Sequence, residues 1–238
     1  MKKFRLPFVL LLICSTLFPI DAAYAKKGTQ GTQVLIPDTV KDPHSKLTAK
    51  YESANHQHCT AILISSTVAI TAKHCGGDDK TSFNGTIYPG ESGLSTPFGY
   101  MNVRVYIPHP KYDIALLKGT ERDQSKAYRY YIRKFKTQVT GFGDKELQGF
   151  LYDDIYSYGY PYKRSVYKQY RSEGQVIFYQ RNPLLLRTSL PAYEGQSGSG
   201  VFKKDGQFIG IIITRTPQYE GNVLPFTKEI AQWINDHS

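Results

Sequence analysis

Short runs of β-forming residues, each closed off by turn formers, leave this chain few folds to choose from. Thr60 to Thr71, Val103 to Ile107, Ile114 to Leu117, Gln175 to Tyr179, Gly200 to Phe202 and Phe208 to Thr214 are separated by Gly, Pro and Asn clusters. That is the rhythm of an all-β fold. Helical spacing occurs only at the end, from Thr227 to Asn235, where Ile230, Trp233 and Ile234 share one face and Thr227 is placed to cap it. A length of 238 residues with 40% hydrophobic side chains suits one large or two small domains.

The N-terminus reads as a secretory signal rather than a membrane span. Its apolar stretch, Leu6 to Ile20, is shorter than the roughly 20 residues a spanning helix needs and follows Lys2, Lys3 and Arg5. Ala23-Tyr24-Ala25 supplies a small-residue cleavage site, which places residues 1–25 in the leader and the mature start at Lys26. A lipoprotein reading of Cys14 is weaker, because bulky Ile13 precedes it. Residues 26–33, with two Gly-Thr-Gln copies, read as a tail or short propeptide, and Val34-Leu35-Ile36-Pro37 begins the apolar pattern. The expected location is therefore secreted or periplasmic, with no stable membrane insertion.

Export also bears on the cysteines. Cys14 leaves with the leader, so Cys59 and Cys75 remain alone in an oxidising compartment, where they should pair. Closing that loop is worth about 3 kcal/mol in the chain-entropy model. Two buried free thiols are the alternative. Losing Lys2, Lys3, Arg5 and Asp21 lowers the formal charge of +10 by two, so the mature chain stays basic. A basic surface draws a protein toward anionic walls, membranes or acidic substrates but carries no information about fold.

The Tyr-, Lys- and Arg-rich middle, Glu121 to Arg181, has the composition of a stacking platform for single strands, yet half-exposed strands look the same and no nucleic-acid motif accompanies it. No nucleic-acid partner is expected. His56-Gln57-His58 has the residue types to chelate a metal but lacks carboxylate partners, and no other paired metal-ligand motif or phosphate-binding glycine loop occurs. Asn84-Gly85-Thr86 is a glycosylation triplet that arises often by chance.

Three local signals follow one another: Thr71-Ala72-Lys73-His74-Cys75, Asp113-Ile114-Ala115-Leu116-Leu117 and Gly195-Gln196-Ser197-Gly198-Ser199-Gly200. A serine hydroxyl becomes a useful nucleophile when a histidine takes its proton, and the histidine needs a carboxylate to fix its tautomer and stabilise its charged form. The chain offers one of each. Glycines on both sides of Ser197 allow a tight turn that aims the Gly195 and Ser197 N–H groups at one point, where a carbonyl oxygen can become an oxyanion.

On these motifs the chain resembles the chymotrypsin-like serine peptidases, which share the order His, Asp, Ser. The likeness covers most of the mature chain. Cys59 and Cys75, with Cys75 directly after His74, resemble the disulfide that braces the histidine loop in that family. Within it, Val34-Leu35-Ile36-Pro37, Gly159-Tyr160-Pro161 and Ser197-Gly198-Ser199 are similar to the bacterial branch of glutamyl endopeptidases and exfoliative toxins. The resemblance implies two antiparallel six-stranded β-barrels with a C-terminal helix: a first barrel over 34–120, a linker over 121–136, and a second barrel with the helix over 137–238. It implies His74 as general base, Asp113 as its orienter, Ser197 as nucleophile, and Gly195 with Ser197 as the oxyanion hole. Implied too are a monomer, no cofactor, and hydrolysis of protein or peptide substrates through an acyl-enzyme.

Two places depart from the branch's pattern. Where glutamyl endopeptidases carry a histidine and a threonine or serine in the specificity pocket, this chain has Ile212 and Ala192. Arg215, near the pocket strand, has three readings: pairing with an acidic substrate side chain, pointing to solvent, or partly filling the pocket. Before the nucleophile stands Gln196, not the aspartate that receives a new N-terminus in trypsin-like zymogens. The branch then suggests maturation by cleavage after Gln33, exposing Val34. The runner-up function is a catalytically silent homologue that serves as a secreted binding protein; a basic cell-wall or nucleic-acid binder with fortuitous motifs stands third.

Overall fold

The computed structural model describes residues 30–162 and 167–238, so the leader assigned to residues 1–25 lies outside the described residues. Strand β1 (Thr32–Leu35) comes first. Seven short strands then form an open antiparallel half-barrel: β2 (Thr48–Glu52), β3 (His58–Leu63), β4 (Val68–Thr71), β5 (Thr86–Pro89), β6 (Met101–Asn102), β7 (Val105–Pro108) and β8 (Ala115–Lys118). Their order is β6-β5-β2-β3-β4-β8-β7. Helices α1 (Lys126–Tyr131) and α2 (Asp144–Gly149) lead into β9 (Asp154–Gly159), β10 (Tyr170–Gln180), β11 (Leu185–Pro191), β12 (Gly200–Lys203), β13 (Phe208–Arg215) and β14 (Glu220–Pro225).

The fold is the expected all-β pair of barrels, with a difference in closure. Six strands, β9 to β14, close on themselves because β9 and β12 pair while β9 also pairs with β10. In the first half no pairing of named strands joins β6 to β7, and its strands number seven where six were expected. The long strand β10 makes the second closure possible. Its first half pairs with β9, its second with β11, and an irregularity between Val176 and Phe178 bends it. That bend leaves Tyr170 to Glu173 with an unclaimed edge, which β1 fills, Gln33 opposite Ser172 and Val34 opposite Arg171. Residues 32 and 33, expected in a tail or propeptide, therefore lie in a sheet.

Alternation along the strands sorts side chains into separate cores. On β3, Ala61 and Leu63 face the interior of the first half with Tyr51, Met101 and Leu117, while Ile62 points the other way. Ile62, Ile70, Ile114 and Leu116 meet Ile211, Leu224 and Phe226 from the second barrel. Helix α3 (Lys228–His237) covers this shared core with Ile230 and Ile234, and Trp233 packs at its margin. Thr227 caps it as expected, its Oγ1 accepting the Ile230 N–H at 3.3 Å. The segment expected as a linker holds α1, whose Tyr128 and the following Ile132 pack into the first core.

A polar seam also joins the halves. Lys50, on β2, is buried and pairs at 3.1 Å with each carboxylate oxygen of buried Glu91, with the Tyr167 ring 3.8 Å from its Nζ. Beside it the two N–H hydrogens of the Gln169 amide are shared among the Ser45 and Thr48 carbonyls of the first half and the Tyr160 hydroxyl of the second. Burial pushes the Glu91 carboxyl up to about 7 even against the pull of Lys50. The folded state thus holds this proton more tightly than the unfolded chain, and the group's contribution to stability falls as pH rises from 4.5 through about 7. Glu91→Ala, which leaves the buried Lys50 ammonium only its longer 3.8 Å contact with the half-exposed Glu52 carboxylate, is expected to lower unfolding free energy by about 3 kcal/mol. Lys50→Met with Glu91→Leu should recover most of that and remove this pH slope, both read by urea titration across pH.

Candidate active site

Each half contributes loops to the cleft between them. His74 sits in a tight turn just after β4, held by the Cys59–Cys75 disulfide, which ties the turn to the head of β3 across a Cα separation of 6.3 Å. The buried Tyr106 ring supports that turn, its single O–H shared between the Lys73 and Gly77 carbonyls at 2.6 and 2.8 Å. Asp113 lies just ahead of β8, where the flanking Ile114 and Leu116 anchor the backbone in the shared core. Ser197 comes from the loop between β11 and β12.

These three side chains, 123 positions apart at the extremes, form one chain of hydrogen bonds. Asp113 accepts twice from His74, from the backbone N–H at 2.9 Å and from ring Nδ1 at 2.8 Å. An ionised carboxylate only accepts, so Nδ1 carries the proton and Nε2 is free to accept the Ser197 hydroxyl 2.9 Å away. Burial alone would raise the Asp113 carboxyl; the His74 hydrogen bonds and charge, with help from Lys73, outweigh it and hold the group below the ordinary carboxylate range.

Around Ser197 the backbone is held from both halves. Thr60 on β3 donates its N–H to the Ser197 carbonyl at 2.8 Å and its hydroxyl to the Gly195 carbonyl at 2.8 Å, while accepting the Tyr160 N–H. The Tyr162 N–H holds the Glu194 carbonyl at 2.7 Å, which turns the following Gly195 N–H the opposite way. Among the described residues no protein acceptor takes the N–H of Gly195 or Ser197. Gly195 and Gly198 have φ of +94° and +87°, a region that side chains with a Cβ rarely adopt.

Ala192, Ile212 and Arg215 all line one cavity of about 470 Å³ that opens onto Ser197. Its base is apolar. The Arg215 guanidinium does not fill it: its carbon stacks 4.6 Å from the Tyr219 ring centre, and Nη2 lies 3.8 Å from the Glu194 carboxylate. A second cavity of about 300 Å³, which shares Ser197 and Glu194 with the first, is lined also by His58, Tyr162 and His74. His58 there stacks on Tyr162 with ring centres 4.8 Å apart. Cys59, His74 and Cys75 also lie close together, but the two sulfurs are bonded to each other and both His74 nitrogens are engaged.

Sequence reasoning missed Thr60, Tyr162, Glu194 and Tyr219. None has a local signature, although Thr60 directly follows Cys59. The glycosylation triplet is closed off: Asn84 is buried, and its amide donates to Gly76 and Thr81. The tyrosines of the middle segment do not form one platform, since Tyr128, Tyr158 and Tyr160 are buried in different places while Tyr130 and Tyr152 are exposed.

Comparison with known proteins bears on the family and the fold. A family model described as a trypsin-like peptidase domain matches residues 59–211. Exfoliative toxin A of Staphylococcus aureus is 27% identical over 161 residues, which cover 64% of this chain and 54% of the toxin. The chain thus spans about half the length of the curated relative it matches. A solved Glu endopeptidase superposes with a TM-score of 0.69 at 17% identity, covering 86% of this chain and 95% of its own. A thermostable serine protease from an extremophilic microorganism gives 0.60 at 13% identity, covering 81% and 96%.

A Cβ at residue 195 would run into the Tyr160 carbonyl and require a strained φ. Gly195→Ala should therefore displace the loop, lower kcat/KM for a peptide substrate by about 10²- to 10³-fold, the scale of one lost oxyanion donor, and lower the melting temperature as well.

Proposed function

The chain belongs to the trypsin-like peptidase family, and on that premise we propose that it is an exported serine endopeptidase acting through His74, Asp113 and Ser197. The observation that carries this reading is the unbroken relay from the Asp113 carboxylate through both His74 nitrogens to the Ser197 hydroxyl. Residues 1–25 are the proposed leader, 34–120 and 137–238 the two halves, and neither half holds all three groups.

The chemistry follows from the positions. Ser197 Oγ attacks the scissile carbonyl carbon as its proton moves to His74 Nε2, and the oxyanion accepts from the Gly195 and Ser197 N–H groups. Asp113, held ionised, stabilises the imidazolium. The C–N bond breaks as His74 returns the proton to the leaving amine, which leaves an acyl ester on Ser197. Water then attacks that ester, again losing its proton to His74, and the acid product departs as Ser197 Oγ is reprotonated. No cofactor enters these steps.

For substrate choice, the apolar base made by Ala192 and Ile212 favours an uncharged side chain before the scissile bond. A substrate carboxylate reaching Arg215 would compete with Glu194 for it. The proposed reading is accordingly a peptidase with an apolar primary pocket under a basic rim, not one selective for glutamate.

The test is capture by a fluorophosphonate probe, which reports an activated serine without requiring the right substrate. Wild type should label, with Ser197→Ala and His74→Ala silent; a folded wild type that does not label points instead to a silent homologue acting by binding. In a peptide library, substrates with Leu or Ala before the cut should exceed those with Glu by about tenfold or more, on the scale of a desolvated side chain in its pocket. Arg215→Ala should leave that order unchanged, and a dominant Glu preference lost in Arg215→Ala would sink the pocket assignment.

A further inference from the structure

Gln33, in the segment read as a tail or propeptide, reaches into the loop that carries the nucleophile. Its two Nε2 hydrogens are shared among three acceptors, Ser172 Oγ at 2.9 Å, Gln196 Oε1 at 3.1 Å and, more distant, the Pro191 carbonyl at 3.3 Å. Gln196 is wholly buried and directly precedes Ser197. Its Oε1 takes a second donor, the Tyr193 N–H at 2.9 Å, while its own backbone N–H donates to the Tyr193 carbonyl. Side chain and backbone of Gln196 therefore close the same Tyr193–Gln196 turn, and that turn presents the Gly195 N–H.

The upstream residues are built into the fold. Thr32 and Gln33 pair with Glu173 and Ser172 on β10. A Cβ at Gly31 would collide with the Ser189 and Glu173 carbonyls, so the chain before Gln33 is packed tightly onto the barrel. A cut after Gln33 would release this contact along with the strand residues that position it.

We propose that Gln33 is a positioning residue for the oxyanion loop: its amide, acting through Gln196, holds the turn that a buried N-terminal ion pair holds in trypsin-like zymogens. The uncut chain is then already competent, and cleavage before Val34 is a loosening event. This reverses the maturation expected from the Val34-Leu35-Ile36-Pro37 motif, and it rests on the peptidase reading for its effect on rate but not for its effect on the loop.

Two measurements test it on the mature full-length chain, a form starting at Val34, and Gln33→Met. The Met side chain keeps the volume and the strand but lacks the amide donor. The first measurement is the rate constant of fluorophosphonate acylation; the second is hydrogen exchange over residues 192–198, which needs no activity. The full-length chain should react without N-terminal trimming. Gln33→Met should acylate about five- to tenfold more slowly, the scale of one neutral hydrogen bond, and exchange faster at 192–198 with its melting temperature nearly unchanged. The Val34 form should show the same changes or larger ones. Equal exchange and equal acylation in Gln33→Met, or faster acylation by the Val34 form, overturns the proposal. If wild type fails to label but Gln33→Met still loosens 192–198, the peptidase reading falls while the positioning role stands.

Discussion

One threonine joins the two halves at the point where chemistry is placed. Thr60 stands at the head of a strand of the first half, beside the disulfide that carries the His74 turn, and bonds the carbonyls of Gly195 and Ser197 in the second. The same residue accepts the Tyr160 N–H, and its carbonyl accepts the Thr71 hydroxyl. Its backbone and side chain thus fix the distance between a histidine from one half and a serine from the other. A hydrogen bond between two such loops needs an error well under an ångström, and long-range apolar packing alone does not supply that precision.

The apolar layer beneath sets the coarse approach. Alternate residues of β3, β4 and β8 serve two cores at once, one inside the first half and one against the second barrel. Rotating either half would therefore disturb both. The buried Lys50–Glu91 pair and the Gln169 amide add direction to this contact, because buried polar groups tolerate few alternative arrangements once their partners are in place. The rim of the pocket follows the same logic on a smaller scale: Glu194 and Tyr219 hold Arg215 aside, so a cationic side chain coexists with an open cavity that Ala192 and Ile212 also line.

Much of the fold was legible from residue order. Period-two runs gave the β class, the capped Ile230–Ile234 face gave the last helix, and three short motifs singled out His74, Asp113 and Ser197. What stayed hidden has a common cause. β1, the short β6 and the first half of β10 are weakly patterned and owe their pairing to an edge exposed by a bend elsewhere. The helix at 126–131 hides in a polar, tyrosine-rich segment because only Tyr128 of its six residues is buried. Thr60 and Gln33 bear no local signature, since a neutral hydrogen-bonding side chain becomes specific only when its distant partner is in place.

By itself, then, the sequence determined the chemistry available: which side chains donate, accept or attack, where glycine permits a positive φ, and which runs bury alternate residues. These are local properties of residue type and spacing. The tertiary structure alone decided how they combine. It drew Arg215 toward Glu194 at the rim of the pocket, buried Asn84, and set Gln33 against the buried Gln196 side chain. Each depends on contacts between residues far apart in the chain, whose distances are set by the packing of two barrels and not by any stretch of sequence.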